Sequence, residues 1–186
     1  MATTIDFDPR RSALVVYDFT RPIAEVGHRS YSQWAVDGMP TYAQLVRACR
    51  KSGVLVCYAL GSAGYGGFDV CHEVAPVEGE RSFMHNATGA FTGTDLDAYL
   101  TENRRDTLFV SGVAVDRDCN TTARQAQIAG LRPIMVRGAC YTYPIAESPF
   151  GPVSTEELER VHLAALHRQG IPSIPIAELI DRLGSA

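Results

Sequence analysis

Ser111-Gly-Val-Ala-Val-Asp-Arg-Asp-Cys-Asn-Thr-Thr-Ala-Arg-Gln-Ala126 decides how this chain folds. Upstream it joins the apolar run Thr107 to Val115, which reads as a buried strand. A short polar turn follows. Thr122 to Ala129 then carries a helical pattern that stops at Gly130. A strand feeding a helix puts the intervening turn at the carboxyl edge of a sheet, where open α/β folds bind ligands. Asp118 and Cys119 fall in that turn, beside N–H groups at a helix start that favour an anion, a thiolate or an oxyanion.

The same alternation extends in both directions. Ser12 to Tyr17 is a continuous apolar strand ending at Asp18. Pro40 to Lys51 has apolar residues at helical spacing, closed by Ser52-Gly53. Val54 to Leu60 reads as a second strand, with the glycine-rich loop Gly61 to Gly67 at its end. A short helix starts near Thr94. After the central strand–helix pair come a strand at Pro133 to Val136, a loop at Ala139 to Pro152 and a helix at Thr155 to Gln169. A short strand at Ile171 to Ile176 and a last helix at Ala177 to Leu183 complete the chain. Five apolar strands alternating with helices predict an α/β fold with a mostly parallel sheet between helical layers, a three-layer α-β-α, Rossmann-like arrangement. With no repeat or linker, residues 1–186 read as one domain.

The bulk properties narrow the functional classes. A net charge of −4 leaves no basic footprint for nucleic acid. The first residues show no secretory leader pattern, and no stretch approaches the roughly 20 apolar residues of a membrane span. Five cysteines, at 49, 57, 71, 119 and 140, are odd in number and widely spaced, which argues against a disulfide framework or zinc knuckle and fits a reducing cytoplasm. Cys49 and Cys57 lie in apolar patterns and read as packed thiols.

Four segments carry a family resemblance: Ala13 to Asp18, Pro76-Val-Glu-Gly-Glu80, Ala90-Phe-Thr-Gly-Thr-Asp-Leu96, and Gly112-Val113 with Thr122-Ala-Arg-Gln-Ala126. In this order and spacing the chain resembles the isochorismatase-like hydrolases, the cysteine hydrolase superfamily. The resemblance implies a hydrolase of a small metabolite, a homodimer or homotetramer, and a cis peptide near Ala114-Val115. In amidase members an aspartate after the first strand acts as base, a lysine orients and activates, and a cysteine at a helix start attacks the carbonyl. Asp18 falls on the aspartate. The lysine position, six residues before Phe91, holds His85. The nucleophile position, six after Gly112 and four before Thr122, holds Asp118, with Cys119 one residue late. The isochorismatase branch, which hydrolyses a vinyl ether without a thiol nucleophile, also carries a cysteine just after this position, but keeps the lysine.

Catalytic candidates are therefore Asp18, His85, Asp118 and Cys119. Asp118 is either an acid partner of Asp18, a replacement nucleophile or a helix N-cap. Cys119 is either a nucleophile or a structural thiol. Arg117 and Tyr141, with Arg137, flank the same edge and suit a substrate carboxylate. Phe68, with His28, Trp34 and Tyr65, lies in the loops that wall it. Metal-using nicotinamidase relatives carry Asp-x-His after the second strand, where this chain has Leu60-Gly-Ser-Ala-Gly-Tyr65. No metal or other cofactor is expected, although His72 stands between Cys71 and Glu73. Acid–base hydrolysis centred on Asp18 leads. A Cys119-dependent amidohydrolase acting on an amide or ureide C–N bond, and a binding protein on an altered enzyme scaffold, remain open.

Overall fold

The structure, a computed structural model, describes residues 5–61 and 69–185. Its centre is a six-stranded sheet of β1 (Ser12–Tyr17), β2 (Leu55–Gly61), β3 (Arg81–His85), β4 (Thr107–Val113), β5 (Arg132–Tyr141) and β6 (Ser173–Pro175). Every neighbouring pair is parallel, and the spatial order is β3-β2-β1-β4-β5-β6. The order reverses between β1 and β4. Chain segments leaving these two strands diverge to opposite sides, so a crevice opens at their carboxyl ends. Asp18 follows β1 and the Asp116–Cys119 segment follows β4, which puts both at that crevice.

Helices cover both faces. Alternate residues of a strand point to opposite sides, so each buried strand feeds two cores. Leu14, Val16, Phe109, Ile134 and Val136 pack on one side with α1 (Gln33–Ser52) and α5 (Ile176–Gly184). Ala13, Val15, Tyr17, Leu108, Val110 and Met135 pack on the other with α2 (Leu96–Glu102), α3 (Asp118–Ile128) and α4 (Thr155–His167). The α/β layering expected from alternation is present, and the sheet is wholly parallel.

Three differences from expectation bear on the elements before the site. The helix placed at Pro40 starts earlier, at Gln33, where the Ser32 hydroxyl accepts from the Ala35 N–H, and Pro40 lies inside it. The strand β3 had no sequence signal. It is an edge strand, Arg-Ser-Phe-Met-His, with its first two residues exposed, so it lacks the continuous apolar run of its neighbours. The third difference concerns Asp118 and Cys119. They belong to the first turn of α3 and not to a loop before it; Arg117 takes the cap position without a side-chain bond, so Asp118 is not the N-cap.

Two motif segments have structural explanations. Gly112 has φ +119°, and a Cβ there would stand 2.0 Å from the Tyr17 carbonyl oxygen, so only glycine permits β1 and β4 to approach. Glu80 receives Arg50 through two bonds of 2.8 Å and the Val77 N–H at 3.0 Å, tying the segment before β3 to α1. The Val113–Ala114 peptide is cis, adjacent to the expected position. No helix among the described residues is long and apolar enough to cross a membrane.

Candidate active site

Asp18 is held from three directions. Its backbone has φ 43°, in the left-handed region, and its N–H donates to Ala59 at 2.9 Å. A non-glycine residue there is a local strain of the kind that collects at functional sites. One carboxylate oxygen accepts the Gly61 N–H at 2.6 Å, and the other lies 3.2 Å from His85 Nε2. The parallel register that pairs Gly61 with His85 brings these two partners together, so β3 is what delivers the histidine.

His85 is almost wholly enclosed, at 6% exposure. Its Nδ1 lies 3.0 Å from the Ala87 carbonyl oxygen and 2.9 Å from the Tyr17 hydroxyl. A carboxylate and a carbonyl can only accept, so these two contacts favour the doubly protonated ring over either neutral tautomer. Burial opposes that cation, but the hydrogen bond and charge of Asp18, the Ala87 carbonyl and Asp118 outweigh it and raise the His85 pKa. A histidine whose surroundings favour its protonated form occupies the place where the resemblance implied a lysine.

Asp118 completes the group. It lines both cavities at the crevice. One, of about 630 Å³, extends past Thr20, Ser30, Thr142 and Tyr143; the other, of about 350 Å³, lies under His85, Asn86 and Thr88. Asp18, Arg117 and Asp118 line both. Burial pushes the Asp118 carboxyl above the ordinary carboxylate range. Arg117, His85 and the Tyr17 hydroxyl pull it down and Asp18 pushes it further up, so the net shift is upward. Two carboxyl groups near one another in a closed site favour a state in which only one is ionised.

Cys119 points elsewhere. One residue further along a helix is about 100° of rotation. That turn places Cys119 on the buried stripe it shares with Ala123 and Ala126, fully enclosed between α3 and the sheet. Burial and a hydrogen bond to Cys140 raise its thiol pKa well above the usual value. These surroundings disfavour a thiolate, the form in which cysteine attacks. Neither crevice cavity is lined by Cys119.

The remaining candidates divide. Arg117 is half exposed, at 53%, and lines both cavities. Tyr141 does not reach the crevice. The strand β5 runs on to Tyr141, past the expected end at Val136, and a register irregularity near Gly138 breaks its alternation and turns that ring onto the α1 side against Phe19, Trp34 and Tyr42. Two residues on, Tyr143 lines the larger cavity instead; burial and the charge of Asp18 help push its hydroxyl up to about 12 despite the opposing charge of Arg117. Arg137 is exposed beside β6 and lines neither cavity. Phe68 and Tyr65 lie outside the described residues. His28 accepts the Ser30 N–H at 3.1 Å. Among the described residues no cluster of three or more His, Cys, Asp or Glu could hold a metal ion.

Sequence reading missed Tyr17, Asp116 and Tyr143. Tyr17 looked like the last apolar residue of a strand. Asp116 accepts from the Thr142 hydroxyl and fastens the two crevice loops together. Only the pairing of β1, β3, β4 and β5 reveals these contacts.

Two partly buried carboxyl groups, one of them in contact with His85, at the switch point of a doubly wound sheet mark a candidate small-molecule site. A family model described as the isochorismatase domain matches residues 12–151, and the chain belongs to that family and is a hydrolase. It is similar to N-carbamoylsarcosine amidase from an Arthrobacter species, 41% identical over 64 residues that make up 34% of this chain and 24% of that relative, so the chain spans about a quarter of its length. An uncharacterized isochorismatase family protein of Bacillus subtilis, YwoC, is 24% identical over 165 residues, covering 77% of this chain and 84% of the relative. A cysteine hydrolase from Pseudomonas syringae pv. phaseolicola superposes with a TM-score of 0.89 at 21% identity, covering 100% of this chain and 99% of the other; at that identity the likeness speaks for the fold.

Proposed function

We propose that this hydrolase acts on a small metabolite by acid–base chemistry, without a covalent thiol intermediate. Asp118, and not Cys119, faces Asp18 and His85 across the crevice, and this observation carries the reading. Asp118 is the acid. Its raised pKa favours the protonated form, which can give a proton to the leaving group or to an enol-ether carbon. Asp18 is the base. His85 Nε2 and the Gly61 N–H contact its two oxygens and orient it to take a proton from the attacking water. Water adds as the bond breaks, Asp118 gives up one proton and Asp18 gains one, and exchange with solvent restores both. Arg117, on the open side, suits an anionic group of the substrate. The two cavities fall within the usual size of small-molecule sites.

The similarity to an N-carbamoylsarcosine amidase favours a C–N bond as a second target for the same carboxylates, beside the enol ether. Screening a panel of enol ethers, amides and ureides with the native chain, Asp118→Asn and Cys119→Ala tests the proposal. Turnover should fall about 100-fold in Asp118→Asn and stay near the native value in Cys119→Ala. Full activity in Asp118→Asn, with none in Cys119→Ala, would return the chain to covalent amidase chemistry. Tight binding with no turnover of any compound would favour a binding protein.

A further inference from the structure

The acid–base reading uses His85 only through Nε2, which faces Asp18 at 3.2 Å. The other ring nitrogen, Nδ1, has two neighbours that make opposite demands. The Ala87 carbonyl oxygen, at 3.0 Å, only accepts, and calls for a hydrogen on Nδ1. The Tyr17 hydroxyl, at 2.9 Å, has one hydrogen to give, and calls for a lone pair there. Tyr17 lies on β1 just before Asp18, fully enclosed, with its ring centroid 4.5 Å from that of His85. Burial and the charges of Asp118 and Asp18 push its hydroxyl well above the ordinary range, so the phenol keeps its hydrogen. The two demands on Nδ1 match the two charge states of the ring. An imidazolium gives Nδ1–H to Ala87. A neutral ring with its hydrogen on Nε2 takes the Tyr17 hydrogen instead. In both states Nε2–H points at Asp18.

We propose that Tyr17 is a positioning residue for His85: its hydroxyl donates to Nδ1 once that nitrogen has lost its hydrogen, so the ring changes charge in place and keeps Nε2–H on Asp18. This rests on Asp18 being the base of the site. One proton leaves Nδ1 for solvent, and the bond to the Ala87 carbonyl is exchanged for one from the Tyr17 hydroxyl. Without the hydroxyl, the neutral ring gains by carrying its hydrogen on Nδ1, where Ala87 accepts it. A bare Nε2 lone pair then faces the Asp18 carboxylate, two acceptors without a hydrogen between them. With the hydroxyl, Asp18 keeps an oriented donor on either side of the His85 midpoint. The ionisable groups facing His85 are Tyr17 and Asp18 at the end of β1 and Asp118 on α3, with Arg117 lining the same cavity. Tyr17 is faced in addition by Cys119.

The test is a nitrogen-15 NMR pH titration of the His85 ring in the full chain, native and Tyr17→Phe. Above its midpoint the native ring should carry its hydrogen on Nε2, with Nδ1 bare. Tyr17→Phe should lower the ratio of the Nε2–H to the Nδ1–H tautomer about fivefold, the equivalent of one hydrogen bond, and move the His85 midpoint upward. A Tyr17 ring that merely packs leaves the ratio unchanged, because phenylalanine keeps the ring. An unchanged ratio in folded Tyr17→Phe therefore overturns the proposal. So does an Nδ1–H tautomer in the native protein, or a native ring that stays doubly protonated to the alkaline limit of the fold; these decide the matter even if Tyr17→Phe fails to fold. The readout needs no turnover, so its failure is distinguishable from failure of the acid–base reading, which rests on the activity of Asp118→Asn.

Discussion

The two ends of the sheet carry cavities of similar size and opposite character. At the carboxyl end, about 630 Å³ adjoins Asp18, Asp118 and the His85 group. At the amino end, about 590 Å³ is lined by Asp8, Arg11, Asp106 and Arg132 among others. The amino end has more charge on show, but its charges are satisfied in solvent: the Arg11–Asp106 pair is about half exposed. The carboxyl end buries its titratable groups and makes them share hydrogen bonds. Volume and charge are common on protein surfaces. Enclosed ionisable groups that shift one another's protonation cost stability and are retained where chemistry needs them.

The sharpest way to break this contrast is Asp18→Asn. The side chain keeps its shape and loses its basicity, so kcat/KM on the best substrate of the panel should fall by about 1000-fold, with thermal stability little changed. A variant that turns over normally would leave the carboxyl end no more catalytic than the amino end.

His85→Ala should lower turnover by about 100-fold, because Asp18 loses its cationic partner. His85→Lys, which keeps a cation at the end of β3, should recover part of that loss. Equal activity in the two variants would show that charge at this position is not what matters.

A third effect appears in stability against pH. The native pKa of both Asp118 and His85 is raised, Asp118 chiefly by burial and His85 by its acceptors against the cost of burial. For each group the native state holds its proton more tightly than the unfolded chain. Its stabilising contribution is complete below the ordinary value, roughly 4 for the carboxyl and 6.5 for the imidazole, and is lost as pH rises through the native pKa. The Tm of Asp118→Asn should therefore gain on that of the native protein as pH increases from about 4 to 9. A difference that stays constant across the range would mean that the Asp118 pKa is not raised.

The smallest effect belongs to the amino end. Arg11→Ala removes an exposed ion pair and should cost under about 1 kcal/mol in denaturant unfolding, with kcat unchanged. A loss of activity comparable to that of Asp18→Asn would erase the distinction between the two ends.

Much of the carboxyl end was legible in the chain. Asp18 ends a continuous apolar run, and such a run in an α/β pattern is a parallel strand whose last residue meets the crevice. The family resemblance, counted from Gly112 and from Thr122, put Asp118 at the nucleophile position, one residue before the cysteine.

What spacing left open was which neighbour each side chain would find. Cys119 turns inward because α3 begins at Asp118, one residue before it, and a helix rotates by about 100° per residue. Tyr141 turns away because β5 continues past its apolar centre and a register irregularity after Val136 reverses which residues face α1. His85 reaches Asp18 because an edge strand without an apolar run pairs beside β2. Tyr17 meets His85 because β1 and β3 both flank β2. Residue order along the chain therefore determined the fold class and the two carboxylates. Pairing between distant strands decided the hydrogen bonds around them, because a hydrogen bond depends on ångström distances between segments that sequence separation does not record.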